Sequence, residues 1–132
     1  ITDMLKALKK EGCLLAVVSN KADFAVNTLC KKYFPDLLDC AFGEREGIKR
    51  KPCPDSVNEV VKLLNVDKSN CFYVGDSDVD VRTAHNAEIK CIACTWGFRS
   101  VSVLEKENPE YIIDSVNEIL GIVGVKNESI TY

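Results

Sequence analysis

Short apolar runs alternate with amphipathic stretches along most of the chain, and this alternation predicts its elements. Ile1, Met4, Leu5 and Leu8 recur at helical spacing with lysines between and after them, which predicts a helix over 1–11 ended by Gly12. Residues 13–18, Cys-Leu-Leu-Ala-Val-Val, are continuously apolar and β-branched at their end, the pattern of a parallel strand buried on both faces. The strand is predicted to stop at Ser19-Asn20. A helix over 23–33 follows, with Val26, Leu29, Cys30 and Tyr33 turned inward. Phe34-Pro35 breaks that helix, a short strand lies around Cys40-Ala41-Phe42, and a polar turn over 44–50 ends in Lys49-Arg50-Lys51. Pro52 favours an extended Lys51, and Pro54 suits the first position of a helix carrying Val57, Val60, Val61 and Leu64.

Cys71, Phe72, Tyr73 and Val74 form the second fully apolar run, which enters Gly75 and then a cluster of carboxylates. A helix over 79–87, a strand over 91–95, a loop at 96–98, a helix over 101–107, a short strand at 111–113 and a helix over 116–120 closed near Gly121 complete the pattern. Alternating strands and helices predict an α/β fold, a three-layer Rossmann-like parallel sheet. Residues 1–124 read as its core domain. Residues 125–132 are polar and weakly patterned, and are assigned only as a C-terminal tail.

With 132 residues the chain is one domain or part of one, and a domain of that size buries roughly two-thirds of its unfolded surface without needing staples. Lys+Arg 17 against Asp+Glu 20 gives a net charge of −3, which argues against nucleic acid or an anionic membrane as partner. No apolar run reaches membrane-spanning length, and the first residues lack a signal-peptide pattern. Seven cysteines, an odd number set mostly in apolar segments, predict reduced buried thiols and a cytoplasmic protein. Cys91 and Cys94 have C-x-x-C spacing, but residues three apart on a strand point to opposite faces, so they are read as core rather than as a metal or redox pair. His85, the only histidine, falls mid-helix and is read as a surface or packing residue.

The candidate chemistry lies at strand ends. Asp76, Ser77, Asp78 and Asp80 follow Gly75 at the mouth of a helix, where open α/β sheets bind ligands. Oxygen-only ligation there suits a hard ion such as Mg²⁺. A calcium loop is ruled out because its sixth and twelfth positions, which need glycine and glutamate, hold Val81 and Ala87. The competing reading is that Ser77 or Asp78 caps the helix and the other acids sit near its positive end. Ser19 and Asn20, between a strand and a helix, make a candidate anion pocket, or one of them caps that helix. Lys51, on a stiff stretch before a helix, is placed to act as a point charge for phosphate.

In that order V-V-S-N, K-P-C-P and V-G-D-S-D-V-D resemble the haloacid dehalogenase superfamily of phosphohydrolases, and the match covers nearly the whole chain. Thr95-Trp96-Gly97-Phe98 looks like a loop of its phosphoglycolate phosphatase-like branch. The resemblance implies a Mg²⁺-dependent phosphatase acting on a small phosphorylated metabolite. Ser19 would bind the phosphoryl group, with Asn20 beside it, and Lys51 would neutralise phosphate and nucleophile. Asp76 would ligate Mg²⁺, and Asp80 would hold the metal's water shell or orient Lys51. Asp78 inherits no role. The family's nucleophile and general acid/base are two aspartates of a D-x-D motif ending its first strand, followed by a cap domain. No apolar strand ending in D-x-D precedes Ser19, Asp3 stands inside an amphipathic helix, and Ala87-Glu88 replaces the usual Ala-Gly.

The sheet is therefore expected to be incomplete on its N-terminal side, and the chain to be inactive by itself. The alternative is a non-catalytic phosphate- or nucleotide-binding α/β module. The missing central strand would leave a slot lined by unpaired backbone groups, at about 1 to 3 kcal/mol each. The slot is expected to close by direct pairing of 15–18 with 72–74, or to be filled by a strand from another chain.

Overall fold

The computed structural model describes residues 2–97, 99–123 and 129–131. Helix α1 (Thr2–Lys10) leads into strand β1 (Leu14–Ala22), followed by α2 (Asp23–Tyr33), β2 (Cys40–Glu44) and α3 (Asp55–Leu64). A 3₁₀ turn (Lys68–Asn70) precedes β3 (Cys71–Gly75) and α4 (Asp78–Asn86), and then come β4 (Lys90–Cys94), α5 (Val101–Lys106), β5 (Tyr111–Ile113), α6 (Asn117–Val123) and β6 (Ser129–Thr131). Among the described residues the six strands are all parallel, in the order β2-β1-β6-β3-β4-β5.

Strand geometry divides the core. Successive side chains point to opposite faces, so Ala16, Val18, Cys71, Tyr73, Cys91 and Ala93 join the buried residues of α3, α4 and α5 on one side. Leu15, Phe72, Val74, Ile92, Cys94 and Ile113 join Met4, Leu5 and Leu8 of α1 and Ile119 and Val123 of α6 on the other. This is the predicted three-layer α/β architecture. Cys91 and Cys94 fall in opposite cores, as the strand argument requires. Among the described residues no helix is long and apolar enough to cross a membrane.

The middle of the sheet differs from expectation. Residues 15–18 and 72–74 do not pair with each other, and the place between them is not left to another chain. β6 lies there, with Ser129, Ile130 and Thr131 opposite Leu14, Leu15 and Ala16 on one side and Cys71, Phe72 and Tyr73 on the other. The expected demand is met, since two buried strand edges need backbone partners. The source was missed because a three-residue strand is too short to show a period, although Ile130 and Thr131 are strong strand formers.

Smaller differences have local causes. β1 runs on to Ala22 instead of stopping at Ser19-Asn20, because Ala22 pairs with Glu44 after an irregularity following Val18. α2 turns Val26 inward but leaves Leu29 and Tyr33 39% and 57% exposed. Pro54 is the cap of α3 and not its first helical residue. α6 passes through Gly121 to Val123, because Ile119 and Val123 pack as one turn against α1. Outside the described residues lies Phe98, part of the predicted 96–98 loop.

Candidate active site

Parallel strands carry all their carboxyl ends on one edge, and the candidate residues collect there. Ser19 lies in the second half of β1, Asp76 follows β3, Asp80 lies in the first turn of α4, and Lys51 stands in the turn before α3. All four line one cavity of about 240 Å³, together with Val17, Val18, Val74, Gly75 and Cys94.

Its centre is an ion pair. Lys51 Nζ lies 2.8 Å from Asp80 Oδ1, and the two side chains are only 14% and 12% exposed. Asp80 also accepts from the Tyr73 hydroxyl at 3.2 Å and, through Oδ2, from the Asp76 backbone N–H at 3.1 Å. Burial pushes the Asp80 carboxyl up, but the Lys51 ammonium, with the Asp76 N–H and the Ser77 hydroxyl, outweighs it and holds the group below the usual carboxylate range. Of the two roles the resemblance offers Asp80, the contact present is the one that orients Lys51.

Lys51 is anchored at its backbone as well. Its N–H donates to Asn20 Oδ1 at 2.9 Å, and Asn20 Nδ2 reaches the Lys51 carbonyl at 3.5 Å. Asn20 is the one expected site residue that does not line the cavity; it ties the lysine turn to β1. Neither Ser19 nor Asn20 caps α2, whose cap residue is Ala22 without a side-chain bond. Ser19 Oγ instead accepts from the Lys21 N–H at 3.1 Å, which leaves its own O–H to donate to an anion.

The acidic cluster divides between structure and site. Ser77 caps α4 by accepting from the Asp80 N–H at 3.1 Å, so that half of the competing reading holds. Asp78 faces Arg99 at 3.0 Å and Arg82 at 3.4 Å. Asp76 is exposed, and among the described residues its carboxylate makes no hydrogen bond or ion pair. A side chain at Gly97 would overlap that carboxylate, with Asp76 Cγ 2.6 Å from the position of a Cβ. Likewise a Cβ at Gly75 would lie 2.6 Å from Asp80 Cγ.

Among the described residues no three His, Cys, Asp or Glu side chains form a ready metal cluster. Mg²⁺ keeps several waters and binds through one or two carboxylates plus substrate phosphate. One unengaged carboxylate beside a cavity lined by a lysine and a serine fits such a partial site. His85 pairs with Glu110 at 3.0 Å, away from the cavity. A second cavity of about 300 Å³ under α2 is apolar apart from Ser19 and Lys21 and offers no comparable chemistry.

Two contributors escaped the sequence reading. In the sequence Tyr73 shows only as part of an apolar run, although a tyrosine within a buried strand needs a partner for its hydroxyl. Gly97 shows only as part of a loop, because nothing in its own neighbourhood in sequence points to Asp76.

A family model described as haloacid dehalogenase-like hydrolase matches residues 1–94. The chain belongs to that family. A phosphoglycolate phosphatase of Vibrio parahaemolyticus is 30% identical to this haloacid dehalogenase-like chain over 131 residues, covering 95% of the chain and 55% of the relative. A protein of Caldanaerobacter subterraneus, provisionally named a pyrophosphatase, is 31% identical over 124 residues, covering 93% and 56%. Among solved structures, one from Lactobacillus delbrueckii, provisionally named a phosphoglycolate phosphatase, superposes with a TM-score of 0.90 at 45% identity, covering 93% of this chain and 52% of that one. The chain thus spans about half the length of the curated relatives it matches.

Proposed function

We propose that the protein is a Mg²⁺-dependent phosphatase that hydrolyses a small phosphorylated metabolite such as phosphoglycolate. The observation that carries this reading is the convergence of Ser19, Lys51, Asp76 and Asp80 on one cavity from three separate stretches of chain. Phosphoryl transfer depends mainly on positioning and charge neutralisation, and these side chains supply both. The Ser19 hydroxyl donates to a phosphoryl oxygen. Lys51, held by Asp80, offsets phosphate charge; a lysine about 4 Å from a phosphate oxygen contributes on the order of 4 kcal/mol at an effective dielectric near 20. Asp76 would supply a ligand to Mg²⁺, which when bound would screen the negative charge gathered there.

The two carboxylates lining the cavity are thus occupied as metal ligand and lysine partner, and neither is left to attack phosphorus. By family resemblance the attacking carboxylate is an aspartate of a D-x-D strand, so residues 1–132 alone are expected to bind phosphate without turning substrate over. The apolar settings of Cys91 and Cys94 suit a reducing cytoplasm.

The test is Mg²⁺-dependent release of phosphate from phosphoglycolate, measured on the full-length protein and on residues 1–132. Turnover by the first and none by the second is expected. Turnover by the 132-residue chain would place a nucleophile within it. No turnover by either, with phosphate still bound, would favour the non-catalytic binding module.

A further inference from the structure

Tyr73 takes no part in the chemistry proposed above, yet its hydroxyl completes the Lys51–Asp80 pair. The residue is fully buried in β3. Its Oη lies 3.1 Å from Lys51 Nζ and 3.2 Å from Asp80 Oδ1, while Nζ lies 2.8 Å from the same Oδ1. An ammonium has three protons and no lone pair, an ionised carboxylate only accepts, and a phenol donates once and accepts as well. One assignment satisfies all three contacts. Lys51 donates to both Asp80 and Tyr73, and Tyr73 donates to Asp80.

Two of the three ammonium protons are then spent within the protein. With Asp80 as sole acceptor, Nζ could swing about Oδ1; a second acceptor on a rigid central strand removes that freedom. We infer that Tyr73 is a positioning residue, whose hydroxyl fixes the Lys51 ammonium so that its third N–H serves the phosphoryl group in the cavity. Burial and the Asp80 charge hold the phenol pKa well above its ordinary value, so the hydroxyl keeps the proton this arrangement needs. The inference rests on reading the cavity as a phosphate site.

A double-mutant cycle in the full-length protein separates positioning from packing. Tyr73→Phe keeps the ring and removes the hydroxyl, and should lower kcat/KM for phosphoglycolate about tenfold, the effect of one mispositioned charge-assisted hydrogen bond. In a Lys51→Ala background the same change should alter the residual kcat/KM less than about twofold, because the group through which Tyr73 acts is gone. Equal losses in both backgrounds, or full activity of Tyr73→Phe, would overturn the inference. If Lys51→Ala itself were fully active, the phosphate reading would fail first, which is a distinct result.

Should Tyr73→Phe not fold, 3-fluorotyrosine can be placed at position 73 alone by site-specific incorporation. The ¹⁹F resonance should then shift on titration with inorganic phosphate, and not shift in the Lys51→Ala protein. A resonance indifferent to phosphate in the parent protein would refute positioning.

Discussion

Asp80→Ala tests the centre of the site. At 2.8 Å and an effective dielectric near 20, the gross Coulomb attraction between Lys51 and Asp80 is about 6 kcal/mol. Much of that offsets the desolvation of two side chains that are 14% and 12% exposed. The cost of deleting one partner is nevertheless large, since Lys51 stays buried without its counter-charge, and removal of one member of a buried pair costs about 3–5 kcal/mol. The Tyr73 hydroxyl and the Asp76 N–H lose an acceptor in the same step. With a urea m-value of about 1.5 kcal/mol/M, the midpoint should fall by roughly 2–3 M. The double variant Lys51→Met/Asp80→Leu, which removes both charges, should recover most of that loss, because apolar replacement of a buried pair is often neutral. Urea unfolding of wild type, single and double variants, followed by circular dichroism, checks this. A fall of less than about 0.5 M for Asp80→Ala, or a double variant as unstable as the single, would refute the account of the pair.

Gly75→Ala should cost about 1–3 kcal/mol and weaken phosphate binding together, because its Cβ would press on buried Asp80; Gly97→Ala should leave the urea midpoint within about 0.5 M and reduce Mg²⁺ affinity, because the exposed Asp76 can move aside. Asp23 accepts from the Gly43 N–H at 2.9 Å and faces Arg45 at 2.8 Å, and the Gly43 bond leads the causes that lower its pKa. A lowered folded value means that the stabilisation is complete above the unfolded value near 4 and is lost as pH falls through the folded one. The stability difference between wild type and Asp23→Ala, about 1–2 kcal/mol at pH 6, should therefore shrink below about pH 4 in acid titrations. Burial, aided by the Asp76 and Asp80 charges, pushes the Cys94 thiol up to about 12, and burial raises Cys91 further still. Neither should react with iodoacetamide at pH 8 until urea unfolds the protein, which peptide mass mapping would reveal.

How much of this was legible in the sequence depends on how far each signal reaches along the chain. β1, β3 and β4 announce themselves because their buried runs have no polar positions, and Ser19 follows the apolar run of β1 while Asp76 and Asp80 follow β3, on the edge where a parallel sheet gathers its ligands. Lys51 was legible through its setting between a basic turn and two prolines. Partners at long range were not. That Asn20 would fasten the backbone of Lys51, 31 residues away, or that Tyr73 would bridge Lys51 and Asp80, follows from how the elements pack and leaves no local pattern. β6 was missed for a different reason, because its three residues owe their place to the unpaired edges they meet more than to any period of their own.

β6 also makes the sheet a joined object. In the order β2-β1-β6-β3-β4-β5 it is the only hydrogen-bonded link, among the described strands, between a two-stranded wing and a three-stranded one. Three residue pairs on each side form that seam, and on the β1 side they join Leu14 to Ser129, far apart in sequence. Contacts so distant in sequence close late in folding, so the wings should assemble first and lock together afterwards. Ser19 belongs to one wing and Asp76 to the other. The distance across the cavity thus depends on how tightly a three-residue strand is gripped, together with the Asn20–Lys51–Asp80 bonds that span the same two wings.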